Sequence, residues 1–132
     1  MSERGFVFII DDDPANANTL QRLLKDDGYS VERVAGNIVS PELITACGPN
    51  LVLLNAHLSG INPFKLLDTL KANKQTRDLP VIFMTTPDDA ETRVKGLLSG
   101  DDLILMPFDE REVLARIERQ VTVSKVRMAL RE

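Results

Sequence analysis

The sequence predicts an α/β domain in which a doubly wound, five-stranded parallel sheet carries helices on both faces. Short apolar runs alternate with stretches of helical periodicity five times along the chain, the pattern of strands connected by helices. Most of these runs are apolar throughout, as expected of strands buried on both faces of a parallel sheet. Because such strands are joined by right-handed crossovers, the order of the elements predicts parallel strands.

Five segments are predicted as strands by their apolar, β-branched and aromatic residues, with turn formers on either side. They are Phe6–Ile10, Ser30–Val34, Leu51–Leu54, Val81–Met84 and Leu103–Met106. The third segment opens the stretch Leu51–Gly60, and its four consecutive apolar residues favour the centre of the sheet. The second segment is more polar and is expected at an edge.

The first three helices are predicted by a shared signal at their amino-terminal ends. In each, a side chain that can accept a hydrogen bond precedes a proline, whose missing N–H costs nothing in the first turn. The pairs are Asp13-Pro14, Ser40-Pro41 and Asn62-Pro63. Gly28 is expected just beyond the end of the first helix.

The last two helices are predicted from acidic residues at their starts. The segment Asp88–Glu91 places carboxylates near the positive end of a helix dipole. The core-facing side of this helix is expected to be formed by Val94, Leu97 and Leu98. Asp109 and Glu112 have the spacing of a capping box for the final helix. The core side of the final helix is expected to comprise Val113, Ile117 and Val121.

Length and composition indicate one domain of 132 residues, with a net charge of −4 and a pI near 5.0. The acidic balance argues against nucleic acid binding, which requires a basic surface. The apolar runs are too short for a transmembrane helix, and Glu3 and Arg4 interrupt any secretory signal. The single Cys47 cannot form an internal disulfide and suits a reducing compartment. We therefore expect a cytoplasmic domain that binds neither nucleic acid nor membrane.

Polar residues follow three of the predicted strands, and a methionine–proline pair ends a fourth. The four groups are Asp11-Asp12-Asp13, Asn55-Ala56-His57, Thr85-Thr86 and Met106-Pro107. In open parallel sheets, sites form beyond the carboxyl ends of the strands, so these groups are expected to share one site. Asn55 occupies the position where chemistry is expected, but its neutral amide is a poor nucleophile. A lone loop histidine is rarely a metal ligand or a phosphohistidine, so the His57 side chain receives no role.

Further segments have a characteristic order and spacing: Ile9–Pro14, Leu51–Leu54, Leu66-Leu67, Arg77–Ile82, Thr85, Asp101-Asp102 and Pro107–Asp109. On these residues the sequence resembles the receiver (response-regulator) domain of two-component signalling, over Phe6–Val121. The resemblance implies the flavodoxin-like (βα)5 receiver fold and a role in signal transduction. It also implies a cis peptide bond between Met106 and Pro107, because receivers have a cis bond before the proline at this position.

The resemblance assigns roles to three residues that match the receiver pattern. Asp11 and Asp12 match the acidic pair that holds Mg²⁺, and Thr85 matches the hydroxyl residue that contacts the phosphoryl group. With Asn55 in the place of a carboxylate, the remaining ligands would be Asp11, Asp12, the Asn55 carbonyl and the His57 backbone carbonyl. Hard cations prefer charged oxygens, so we expect Mg²⁺ binding to be weak or absent, and no other cofactor.

Three other positions depart from the receiver pattern. Asn55 stands in the place of the aspartate that accepts the phosphoryl group. Met106 stands in the place of the lysine that precedes a proline, and Leu103 in the place of the aromatic residue that rotates with the switch. An ordinary site has three carboxylates and one ammonium group, so losing one charge of each sign avoids leaving a partly buried charge unpaired.

These departures predict a degenerate receiver, or pseudo-receiver, that is not an enzyme and regulates its partners independently of phosphorylation. One alternative is a phosphorylatable receiver whose acceptor aspartate was changed to Asn55. Another is a haloacid-dehalogenase-like aspartyl phosphotransferase, because Asp11–Asp13 contains the Asp-x-Asp that such enzymes place after their first strand. Those enzymes also need a lysine, and Met106 removes the obvious one.

The chain is predicted to divide into a receiver domain at residues 1–121 and a helical extension or linker at 122–132, leading toward an output domain. The apolar residues Val123, Val126 and Leu130 fit an amphipathic helix, although Val121–Val123 also permits a strand-like stretch. Expected partners are other proteins or the output domain. A homodimer could form through the last two helices and the last strand, or through the C-terminal helix.

Overall fold

Five parallel strands form one sheet in the computed structural model, which describes residues 4–131. The strands are β1 (Phe6–Ile10), β2 (Ser30–Val34), β3 (Leu51–Asn55), β4 (Val81–Thr85) and β5 (Asp102–Leu105). Their order is β2-β1-β3-β4-β5, so the polar β2 lies at an edge and the apolar β3 at the centre, as predicted. The last strand begins and ends one residue earlier than expected, which leaves Met106 just beyond β5.

Five α-helices alternate with the strands and cover both faces of the sheet, which confirms the predicted doubly wound fold. They are α1 (Pro14–Asp26), α2 (Pro41–Cys47), α3 (Pro63–Ala72), α4 (Ala90–Ser99) and α5 (Glu110–Leu130). Helices α1 and α5 pack on one face of the sheet, whereas α2, α3 and α4 lie on the other. Within residues 4–131, none of the helices combines the length and the hydropathy that a membrane span requires.

Side-chain hydrogen bonds begin the helices as the sequence predicts. Asp13, Ser40 and Asn62 each accept a backbone N–H from the first turn of their helix, at 3.0–3.1 Å. Asp109 does the same for two N–H groups of α5. Gly28, with φ +92°, follows α1 in a conformation that glycine adopts without steric cost. The predicted starts of these helices are therefore confirmed.

The sheet separates two apolar cores, and the central strand β3 contributes to both. Leu51 and Leu53 belong to the core under α1 and α5, while Val52 and Leu54 belong to the core under the other three helices. The predicted core residues of the final helix are also buried: Val113, Ile117 and Val121. The carboxyl ends of the strands are thus fixed by packing on both faces.

The predicted core side of α4 is wrong. Val94, Leu97 and Leu98 are 57%, 59% and 82% exposed, and the buried residue of α4 is Gly96. A Cβ on Gly96 would lie 3.2 Å from Leu103 Cδ1 and 3.4 Å from Phe83 Cβ.

Helix α4 turns its apolar residues outward because the Phe83 ring fills the space beneath it. A Cβ on Gly100 would lie 2.8 Å from Phe83 Cδ2. The backbone can approach the sheet closely only where it has no side chain, so Gly96 in α4 and Gly100 just after it face inward, and the apolar residues of α4 face outward. Phe83 also stacks on Phe64, with 4.7 Å between the ring centroids.

Helix α5 continues without interruption across Val121 to Leu130, so the strand-like alternative for Val121–Val123 does not occur. The guanidinium of Arg127 donates to the Asp78 carbonyl at 3.0 Å and lies 3.8 Å from Asp101 Oδ1. These contacts hold the last turns of the helix against the body of the domain. Residues 122–130 are helical, as the extension was predicted to be; the domain boundary at Val121 stays a prediction. Residues 1–3 and 132 lie outside the described part of the chain.

Candidate functional site

An open cavity of about 440 Å³ lies at the carboxyl ends of β1 and β3. Its lining residues come from the strand ends and adjoining loops: Asp11, Asp12, Asp13, Asn16, Asn55, His57, Ser59, Thr86 and Met106. The structure thus brings together most of the residues predicted to share a site. Thr85 is fully buried beside the cavity, and Leu103 lies under α4, outside it.

Asn55 is held by a hydrogen-bond pattern that suits an amide. Its Nδ2 donates to Asp11 Oδ1 at 3.1 Å, and its Oδ1 accepts the His57 backbone N–H at 2.8 Å. An ionised carboxylate at position 55 could accept the His57 N–H, but it could not donate to Asp11. It would instead place two like charges about 3 Å apart, which disfavours ionisation of both. The amide nitrogen and the amide oxygen of Asn55 therefore each have a hydrogen-bond partner.

Asp11 is almost completely buried, and one of its carboxylate oxygens has no hydrogen-bond partner. Its Oδ1 accepts N–H groups from Asp13 at 2.8 Å and from Asn55, whereas Oδ2 is unpaired. Burial raises the pKa of Asp11 above its ordinary value, and the two N–H donors oppose that rise only in part. The site therefore contains one carboxylate whose ionisation costs folding free energy.

We expect Asp11→Asn to increase the free energy of unfolding at neutral pH, by about 1 kcal/mol, since it removes a buried charged oxygen that has no partner. The gain depends on pH. Below the ordinary carboxyl pKa, the group is protonated in both states. As the pH rises, the unfolded chain ionises first, so the stability of the unmodified chain falls until the raised pKa of Asp11 is passed.

Urea unfolding followed by circular dichroism between about pH 4 and pH 7 measures this difference. Asp68→Asn, at an exposed position on α3, is the matched control and should leave the pH profile unchanged. A stability gain for Asp11→Asn that is the same at both ends of the range would contradict the assignment.

In this arrangement, several of the oxygens that could bind a divalent cation are already hydrogen-bonded, whereas Asp11 Oδ2 has no hydrogen-bond partner. The Asp12 oxygens accept backbone N–H groups from Gly36 at 3.1 Å and from Ser59 at 3.2 Å. Asn55 turns its amide nitrogen toward Asp11 and uses its oxygen for the His57 N–H. In the part of the chain that the structure describes, no three side chains of His, Cys, Asp or Glu are grouped to hold a metal ion.

Met106 supplies an apolar wall to the cavity and carries no charge there. Its side chain packs against the core under α1 and α5, and its Sδ accepts a hydrogen bond from Asn16 Nδ2 at 3.2 Å. The Met106–Pro107 peptide bond is cis, as predicted. Because a thioether is neutral, the cavity has no ammonium group at this position to attract an anion.

His57 makes the contact that the sequence did not predict. Its Nε2 lies 2.8 Å from the hydroxyl oxygen of Thr85 and 3.6 Å from Asp89 Oδ2. Asp89 Oδ1 accepts the Thr92 N–H at 3.1 Å and so caps α4. Hydrogen bonds from the side chain and the backbone N–H of Thr92, together with the nearby His57, hold the pKa of Asp89 below its ordinary value.

The register of β3 and β4 accounts for the His57–Thr85 contact. Asn55 pairs with Met84 across the parallel strands, so the residue that follows Met84 lies beside the loop that follows Asn55. The imidazole of His57 is long enough to cross between these two strand ends. Strand register, rather than residue type, carries this information.

Leu103, at the position where the aromatic switch residue was expected, is 8% exposed. It packs in the core under α2, α3 and α4, with its Cδ1 facing Gly96. An aliphatic side chain in this place fills space beneath α4 and is largely buried. It therefore contributes packing to the helix rather than a contact at the cavity.

Comparison with known proteins gives matches over most of the chain. The family model for the response regulator receiver domain matches residues 7–118. The DNA-binding dual master transcriptional regulator RpaA from Synechocystis sp. is 32% identical over 112 residues, covering 84% of this chain and 46% of RpaA. The chain spans about half the length of the first curated relatives that it matches.

Two solved structures have a similar fold. The signal receiver domain of a signal transduction histidine kinase from Syntrophus aciditrophicus superposes with a TM-score of 0.79 at 25% identity, covering 89% of this chain and 90% of that one. The receiver domain of the sensor histidine kinase PA1611 from Pseudomonas aeruginosa PAO1 gives 0.80 at 21% identity, covering 89% and 98%. The PA1611 domain holds a magnesium ion in its active site cleft.

Proposed function

The chain belongs to the response regulator receiver domain family, and from that premise we propose that it is a degenerate receiver that acts independently of phosphorylation. Receivers serve in signal transduction. In this proposal the domain transfers no phosphoryl group and is not an enzyme. It regulates its partners through its surface and its state of association.

The hydrogen bond from the Asn55 amide to Asp11 carries the proposal. It supports the idea that the site is built around an amide, because a carboxylate in the same place would lose this bond and meet a like charge. The amide oxygen is also occupied by the His57 N–H, and a neutral amide lacks the charge of a carboxylate nucleophile. Position 55 is therefore equipped for structure rather than for accepting a phosphoryl group.

The surroundings of Asn55 support the same proposal. Phosphoryl transfer is accelerated by positive charge placed near the developing negative charge of the transferred group. Met106 supplies none, and three carboxylates border the cavity: Asp11, Asp12 and Asp13. We also propose that Mg²⁺ binds weakly or not at all, since the Asp12 oxygens and the Asn55 oxygen are already hydrogen-bonded.

The haloacid-dehalogenase-like alternative finds no support in the geometry. A phosphotransferase of that class needs its first aspartate as an accessible nucleophile. Asp11 is 1% exposed, with Oδ1 in two hydrogen bonds and Oδ2 shielded from solvent.

We propose that the domain associates through the face formed by α4, β5 and α5. Val94, Leu97 and Leu98 present an apolar surface on α4, and beside it Arg116 bridges Asp102 at 2.7 Å. An apolar patch with ionic groups at its border is typical of protein interfaces. The occupant that we propose is a second copy of the chain. We also propose an output domain as a partner, because the curated relatives that the chain matches are about twice its length.

We expect the monomer–dimer balance to depend on protein concentration and not on a phosphate mimic. Sedimentation equilibrium over a dilution series, with and without beryllofluoride and Mg²⁺, measures both effects. Leu97→Asp should weaken association roughly tenfold or more, because a charge would enter the apolar centre of the interface.

Ile38→Asp, at an exposed apolar residue outside α4, β5 and α5, is the matched control and should leave association unchanged. A shift of the balance on adding beryllofluoride would refute phosphorylation independence. Equal effects of the two substitutions would refute the proposed face but not the independence.

A further inference from the structure

We propose that the imidazole of His57 is a built-in occupant of the position beside Thr85, and that it closes this end of the cavity to the oxygens of a phosphoryl group. The inference rests on the proposed function, because it describes how the degenerate site is held in a single state. In this arrangement, loss of phosphorylation involves an additional residue beyond Asn55 and Met106.

The first observation is the contact between His57 and Thr85. The hydroxyl oxygen of Thr85 lies 2.8 Å from His57 Nε2, and Thr85 is fully buried. His57 borders the cavity, whereas Thr85 does not. Whichever of the two groups donates the proton, an anion in the cavity meets the imidazole before it can reach the hydroxyl. The hydroxyl is thus engaged within the protein.

The second observation is that His57 is fixed on two further sides. Its backbone N–H donates to Asn55 Oδ1 at 2.8 Å, which ties the loop after β3 to the strand end. Its Nε2 also lies 3.6 Å from Asp89 Oδ2, on the residue that caps α4. The imidazole therefore links the ends of β3 and β4 to the start of α4. One backbone hydrogen bond and the two contacts of Nε2 hold His57 in this position, with 44% of its side chain exposed.

The effect of the His57 imidazole can be measured in a variant that has the charges of an ordinary receiver at positions 55 and 106. Asn55→Asp with Met106→Lys supplies a carboxylate nucleophile and an ammonium group. With acetyl phosphate and Mg²⁺ as the probe, an oxygen of the introduced carboxylate would form a bond to phosphorus while the bond from phosphorus to the acetate oxygen breaks and acetate leaves. The rate of this transfer is followed by intact mass.

Three single substitutions are compared in that restored background. His57→Ala removes the imidazole. His57→Gln keeps a polar group at about the distance of Nε2, and Leu58→Ala alters a residue of the same loop that packs against the core and does not line the cavity. We expect His57→Ala to speed transfer roughly fivefold, the factor that corresponds to one net hydrogen bond. His57→Gln and Leu58→Ala should leave the rate near that of the background. A general loosening of the loop would change the rate of transfer in all three variants alike.

Equal rates in the background and in His57→Ala, or no adduct in either, would overturn the proposal. An equal acceleration by Leu58→Ala would also overturn it, because the effect would then not be specific to the imidazole.

A second measurement uses the unaltered chain. Nuclear magnetic resonance should detect a Thr85 hydroxyl proton that exchanges slowly with water. Thr85→Val should shift the Nε2 resonance of His57 and leave the resonance of its backbone N–H, which is hydrogen-bonded to Asn55, unchanged. A freely exchanging hydroxyl and an unshifted Nε2 would refute the contact. Phosphorylation of the unaltered chain would refute the proposed function instead, so the two failures are distinguishable.

Discussion

Incubation of the chain with acetyl phosphate and Mg²⁺ is expected to leave its mass unchanged. Asn55 has no carboxylate to form the acyl phosphate, and its amide is committed to Asp11 and to the His57 N–H. Intact-mass spectrometry of the treated and untreated chain measures this directly. A stoichiometric phosphoryl adduct would contradict both the degenerate interpretation and the role given to Asn55.

Asn55→Asp alone is expected to remain a poor acceptor. The new carboxylate would lie beside Asp11 without a positive charge from Met106, so the transferred group would lack electrostatic stabilisation. Adding Met106→Lys should increase the rate of transfer by roughly a hundredfold or more, the usual effect of one well-placed group of this kind. Met106→Leu in the same background is the control and should give no increase. Rapid phosphorylation of Asn55→Asp without the lysine would show that Met106 is not limiting.

Replacing Phe83 by alanine is expected to lower the free energy of unfolding by about 3–5 kcal/mol. The ring is fully buried, stacks on Phe64 and supports the chain at Gly96 in α4 and at Gly100 just after it. Gly100→Ala should cost about 1–3 kcal/mol, because its Cβ would meet the same ring at 2.8 Å. Gly100 has φ −92°, so alanine is strained there by contact and not by backbone conformation. Urea unfolding followed by circular dichroism measures both values.

A double-mutant cycle isolates the contact between the ring and position 100. In the Phe83→Ala background, Gly100→Ala should cost less than it does in the unmodified chain, because the obstructing ring is gone. The contact of the new Cβ with the Gly96 carbonyl, at 3.1 Å, is present in both backgrounds and cancels. Additive effects of the two substitutions would show that Phe83 does not determine how closely α4 approaches the sheet.

The strands and helix starts could be predicted because their signals are local. Asp13, Ser40 and Asn62 cap their helices through neighbours two or three residues away, so the sequence alone contains both partners. The apolar run Leu51–Leu54 likewise reports its own burial. The positions of Asp11, Asn55 and Met106 at one cavity followed from the rule that parallel strands end at the same edge.

The orientation of α4 and the role of His57 could not be predicted in the same way. Val94, Leu97 and Leu98 have the spacing of a buried stripe, but the ring of Phe83 on a separate strand decides which side of the helix can approach. The contact of His57 with Thr85 joins residues 28 positions apart. Both features depend on tertiary neighbours, which helical periodicity and residue type do not report.

The order of the strands has a consequence for how the chain avoids aggregation. The outer strands of the sheet, β2 and β5, expose backbone groups that could pair with a strand of another molecule. β2 carries Glu32 and Arg33, and β5 is only four residues long and begins at Asp102, which is bridged to Arg116. Short, charged edges oppose the addition of further strands. The two edges of the sheet are therefore protected against pairing with strands of other molecules.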